Sequence, residues 1–145
     1  MTGYDEYQKL MRYKYGSHSF TILLVLMFLN FTLSTYFDTQ WAETKDMEYI
    51  LLAYPAIYYS FITQIYHGAY FKKQQLSTLN VLFLGLFGLF FILPPLFSQT
   101  ALIADGRVTS DIVFPLLGFM WLCGSIAYLI RRLVEKRSIS KDKQD

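Results

Sequence analysis

His18 and His67 are the two imidazoles of this 145-residue chain. His18 stands just before the apolar run "FTILLVLMFLNF", and His67 lies in "TQIYHGAYFKK", where a second run ends. Two imidazoles that meet can bind a transition metal or respond to pH near neutrality. A metal site generally takes three or more protein ligands, and Asp5 and Glu6 reach this pair only if the N-terminal segment folds back. The plainer reading makes His18 and His67 amphipathic residues at the edge of a membrane, like the tyrosines around them. The single Cys123 forms no intrachain disulfide and no CxxC redox pair, and reads as a small packing residue. The sequence holds no Gly-rich phosphate loop, HExxH, GxSxG or kinase signature, so no catalytic residues and no cofactor are expected.

The elements that must position these residues follow from the spacing of charge. Apolar residues make up 54% of the chain and aromatics 19%. Asp, Glu, Lys and Arg are absent from 15–37, 49–71, 74–104 and 112–130, stretches of 23, 23, 31 and 19 residues. About 20 apolar residues at 1.5 Å rise cross a bilayer. The expected fold is therefore all-α, a bundle of four transmembrane helices at about 20–37, 47–71, 79–97 and 112–134. One membrane domain covers 1–137, and 138–145 form a polar, basic tail. Tyr4, Tyr7, Met11, Tyr15 and His18 fall at helical spacing, which predicts a short amphipathic helix at the inner interface that turns at Gly16 into the first span. A cleaved signal peptide is not expected, because the first run is a full span without a small-residue cleavage pattern.

Orientation follows from basic residues in short loops. Eleven of the 13 Lys and Arg residues lie in the N-terminal segment, the second loop (Lys72, Lys73) and the C-terminal segment, which an even number of spans places on one side. The opposite loops hold Lys45 and Arg107. Both termini are expected in the cytoplasm of a plasma-membrane protein. The first outer loop carries Asp38, Glu43, Asp46 and Glu48 and reads as solvated; Asp105-Gly106 marks a turn in the second.

Inside the spans the polar groups are neutral. Ala53, Ala56, Ser60, Thr63 and His67 follow spacings of 3, 4, 3 and 4, a seam of small and polar residues suited to close helix packing. Gly85 with Gly88, and Gly118, Gly124, Ser125 and Ala127, suggest similar contacts in the third and fourth runs. Asn30 and Ser34 share a face of the first span and read as interhelical hydrogen-bonding groups. With Gln64 and His67 they are also the candidates for a polar path. No carboxylate or base lies mid-span, which weakens a self-contained ion-coupled carrier.

The opening "YDEYQKLMRYKYGSHSF" and the closing "IYHGAYF" of the second run resemble an uncharacterised family of small four-span integral membrane proteins of Gram-positive bacteria. That resemblance implies the topology and a bacterial plasma membrane, and it supplies no site residues. The function expected is a non-enzymatic accessory or interaction subunit of a larger membrane system. Its partners are the lipid bilayer and another membrane protein or a second copy, with no nucleic acid. The alternative is a small oligomeric permease or channel; an intramembrane enzyme ranks third, because only the histidines offer titratable groups.

Overall fold

The computed structural model describes residues 5–71, 78–97 and 101–141. It is all-α apart from a small hairpin: α1 Glu6–Phe37, α2 Lys45–Tyr66, α3 Thr78–Phe97 and α4 Val113–Lys141, with β1 Ile103–Ala104, β2 Arg107–Val108 and a single 3-10 turn at Ser110–Ile112 between α3 and α4. Lys72 and Lys73, expected to stop the second span, lie outside the described residues, as do residues 142–145 of the basic tail.

Two helices, α1 and the segment Ser110–Lys136, are long and apolar enough to cross a membrane. The four-span expectation goes further than helix length and hydropathy do. In α3 the apolar stretch is the shorter Val81–Pro94. In α2, five tyrosines and Lys45, Asp46 and Glu48 of its first turn dilute the apolar content.

The separate interfacial helix does not form. Helix α1 runs unbroken for 32 residues through Gly16. One glycine in a helix costs only about 1 kcal/mol, and the start is fixed by a capping box. Asp5 accepts from the Gln8 backbone N–H at 2.8 Å, and the Gln8 side chain accepts from the Asp5 N–H at 3.3 Å. At 1.5 Å per residue α1 is about 48 Å long, more than the roughly 30 Å thickness of a bilayer's hydrocarbon core.

Helix α2 stops at Tyr66, short of the expected Phe71, because Gly68 takes the left-handed φ of +67°. Gly68 N–H donates to Ile65 O at 3.0 Å and Ala69 N–H to Gln64 O at 2.8 Å. These two bonds make a Schellman cap, and they leave His67 as the residue that closes the helix.

The helices pack in the spatial order α1, α2, α4, α3. The seat of α3 on α4 is glycine-lined. A Cβ on Gly118 would stand 2.5 Å from the Gly88 carbonyl oxygen, and one on Gly88 2.8 Å from that of Gly118. One turn further in, Gly85 faces Ser125, whose hydroxyl donates to Val81 O at 3.2 Å. On the other side of α4, Gly124 receives the ring edge of Phe61 of α2, and Ile65 and Ala127 complete a small core. The Tyr54 hydroxyl donates to the Leu116 carbonyl, a second link between α2 and α4.

The α1–α2 and α3–α4 loops, at one end of the bundle, join the two helix pairs. Asp105 and Gly106 both have positive φ, 50° and 74°, the type I′ geometry that closes a two-residue hairpin. Strand β2 also bonds to the first loop: Val108 N–H donates to Trp41 O at 2.9 Å, and Glu43 N–H to Val108 O at 2.8 Å.

Candidate functional site

Two polar clusters form at opposite ends of α2. At its start, Glu48 lies in the first turn of α2 and is fully buried. Its Oε1 accepts from the Trp41 backbone N–H at 2.9 Å, and its Oε2 from Asn30 Nδ2 at 3.2 Å. The Trp41 indole N–H donates back to Asn30 Oδ1 at 2.7 Å. Lys45 Nζ stands 3.9 Å from Glu48 and donates to Ser34 Oγ at 2.7 Å. The loop containing Glu48 was expected to be solvated; this carboxylate is instead enclosed, because the α1–α2 turn folds over it. Asn30 thus joins α1 to α2 and to the loop, as an interhelical hydrogen-bonding residue would.

The cluster at the end of α2 is built on the first turns of α1. Gln8 is buried, and its Nε2 donates to Gly68 O at 2.7 Å and Phe71 O at 3.1 Å, clamping the end of α2. Two turns later the Tyr15 hydroxyl lies 2.6 Å from His67 Nε2, with the two rings stacked at 4.9 Å. His18 meets the same tyrosine edge-on at 6.1 Å, and its Nδ1 lies 3.3 Å from the Tyr59 hydroxyl. Ser19 Oγ donates to Ala56 O at 2.7 Å. The two histidines therefore share one tyrosine neighbour and each has a phenol as its hydrogen-bonding partner. Among the described residues no group of three or more His, Cys, Asp or Glu comes together.

His67 caps α2 beyond its last helical residue. Partial burial lowers its pKa from the ordinary 6.5, and the positive charges of Lys14 and Arg131 lower it further. Arg131 of α4 packs so closely on the Gly68 α-carbon that a Cβ there would overlap its guanidinium. Its Nε donates to Glu135 Oε1 at 2.7 Å.

Of the seam on α2, Ala56 and His67 bond to α1. Ser60 instead accepts from Gln64 Nε2 at 2.7 Å, and the Thr63 hydroxyl donates back to Tyr59 O at 2.6 Å; Ala53 is half-buried. The four residues proposed for a polar path do not form one group: Asn30 and Ser34 lie at the start of α2, and Gln64 and His67 at its end. Asn30 and Ser34 bond to Glu48 and Lys45, and Glu48 lies about 24 Å along α2 from Gln64 at 1.5 Å per residue. Between α2, α3 and α4 lies a void of about 10 Å³ bordered by Phe61, Trp121 and Ser125, room for one water. Beside the hairpin and the α1–α2 loop an open recess of about 490 Å³ is lined by Glu43, Asp105, Arg107 and Thr109.

Sequence reasoning passed over Gln8 and Glu48. The signal for Gln8 was the Asp5-x-x-Gln8 spacing of a capping box. For Glu48 it was the position: Asn30 and Glu48 each lie within two turns of the same hairpin loop and so fall at one level.

No family model matches the chain, and no curated protein or solved structure matches it.

Proposed function

We propose that the chain is a four-span integral membrane protein with both termini in the cytoplasm, acting as a non-enzymatic interaction subunit of a larger membrane system. The observation that carries the membrane reading is the inverted distribution of polarity. Phe28 and Phe31 of α1 are 69% and 60% exposed, and Phe83 and Phe90 of α3 are 69% and 67% exposed, while Glu48 and Asn30 are inside. A soluble fold rarely presents apolar patches of this extent to water; lipid tails accept them without penalty. The Lys and Arg asymmetry supports the orientation.

Two features favour an interaction role. Every buried side-chain polar atom among the described residues has a partner within the protein, so these groups are committed to holding helices together. The order α1, α2, α4, α3 also leaves α1 and α3 as edges with one principal neighbour each, open to lateral contact.

Single cysteines in a Cys123→Ala background test the topology. Asp105→Cys should react with an impermeant maleimide in intact cells, and Lys136→Cys only after permeabilisation. Release of the chain from membranes by alkaline carbonate would overturn the membrane reading. Solute flux from purified protein in liposomes, above the leak of empty vesicles, would replace the interaction subunit with a permease.

A further inference from the structure

We propose that the inner end holds a binding site for the phosphate of an anionic lipid headgroup, formed by Lys14 of α1, His67 at the end of α2 and Arg131 of α4. The inference rests on the membrane reading above and deepens it by naming a ligand class.

Three helices bring positive or protonatable groups to one place. Arg131 lies against Gly68, next to His67. The Lys14 ammonium stands 5.8 Å over the ring of Tyr15, whose hydroxyl reaches His67. Lys14 and Arg131 both act electrostatically on the imidazole. The counter-charge is incomplete. Glu135 engages Nε of Arg131, and the far edge of the guanidinium turns toward Gly68. Lys14 forms no ion pair with a described carboxylate. Asp5 is drawn into the cap at the start of α1, more than two turns away.

The groups are also accessible. Lys14 is exposed, the Arg131 side chain is 32% exposed, and Tyr66 and Tyr70 stand open beside them. Tyrosines at the headgroup level are the usual neighbours of such a position. Part of the cationic charge is offset by the carbonyl end of α2, which fixes where the cations sit without neutralising them. A monoanionic phosphate diester would meet two cations, the Tyr15 hydroxyl and an imidazole able to donate once protonated. Among the described residues, Tyr15 and His18 on α1, Tyr59 and Tyr66 on α2, and Arg131 with Glu135 on α4 are the other titratable groups of this cluster. Binding an anion there favours the imidazolium, so by linkage affinity rises as pH falls.

The test uses the purified full chain in a neutral detergent, with thermal unfolding followed on adding phosphatidylglycerol, phosphatidylcholine or inorganic phosphate. Phosphatidylglycerol should stabilise the protein and phosphatidylcholine should not. Lys14→Gln should weaken the apparent affinity about fivefold, from about 1 kcal/mol per basic residue near an anionic surface, and Arg107→Gln at the outer end should leave it unchanged. The response should be larger at pH 6 than at pH 8, and His67→Gln should remove that difference. Equal stabilisation by phosphatidylcholine, or a full response in Lys14→Gln, overturns the site. An equal response to inorganic phosphate overturns the lipid as its ligand. Lys14 is exposed, so its variant decides the matter even where Arg131→Gln fails to fold. Loss of the lipid response with Asp105→Cys still labelled from outside removes the site alone; reversed labelling overturns the orientation, and release by alkaline carbonate the membrane reading.

Discussion

The amide of Asn30 donates to the buried carboxylate of Glu48 at 3.2 Å, and its oxygen takes the Trp41 indole N–H at 2.7 Å. One side chain thereby ties α1, α2 and the loop between them. Asn30→Ala leaves Glu48 short of a donor inside the protein and the indole without its acceptor. The expected loss is about 1–3 kcal/mol, the cost of an unmet buried polar group. Trp41→Phe, which leaves Asn30 Oδ1 alone unmet, should fall at the low end of that range, about 1 kcal/mol. Thermal unfolding in detergent ranks the two; equal and negligible effects would show that the cluster contributes nothing to stability.

Gly118 and Gly16 should respond oppositely to alanine. A Cβ at Gly118 has no room against the Gly88 carbonyl, whereas one at Gly16 meets nothing within 4 Å. Gly118→Ala must push α3 off α4, at about 1–3 kcal/mol. Gly16→Ala should stabilise α1 by about 0.5–1 kcal/mol through helix propensity. A melting temperature that falls for Gly16→Ala would indicate a break in α1 at that residue.

Acid should weaken the Tyr15–His67 contact. The folded state holds the His67 pKa below the ordinary 6.5, by burial first and then by Lys14 and Arg131. Between those two values the unfolded chain binds the proton and the folded chain does not, so stability rises with pH across that window. The contribution is complete above about pH 6.5 and is lost as pH falls toward the folded value. His67→Gln should flatten this part of a melting-temperature profile taken from pH 8 to 5. An unchanged slope in the variant would assign the dependence to another group.

Gly106→Ala isolates the backbone of the outer hairpin. Gly106 has a φ of 74° with no atom near the place of a Cβ, so the whole effect is the left-handed penalty of about 1–2 kcal/mol. Impermeant labelling at Arg107→Cys should quicken in this variant as the hairpin frays.

The four helices were legible because charge-free runs bounded by charged turns leave little choice of element. The glycine contacts were legible in kind, since small residues at helical spacing announce close packing, though not which glycine meets which. Gly16 misled: a glycine before an apolar run resembles a hinge, but the Asp5–Gln8 capping box makes continuation of the helix cheaper than a break. Glu48 misled as well, because whether a loop carboxylate faces water depends on how the loop folds over the helix ends, and that is a tertiary property. The pairing of both histidines with tyrosines depended on α1 continuing unbroken before Gly16 and packing along α2, which spacing alone does not encode.

The spatial order α1, α2, α4, α3 has a consequence for biogenesis. Helix α2 can close on α1 as soon as it leaves the ribosome, since the two are joined by a short turn. Helix α3 emerges next but finds its principal seat on α4, the helix made after it. During synthesis, then, the glycine face of α3 waits uncovered, and a premature stop within α4 would release a chain with a complete first hairpin and an orphaned third helix for quality control to recognise.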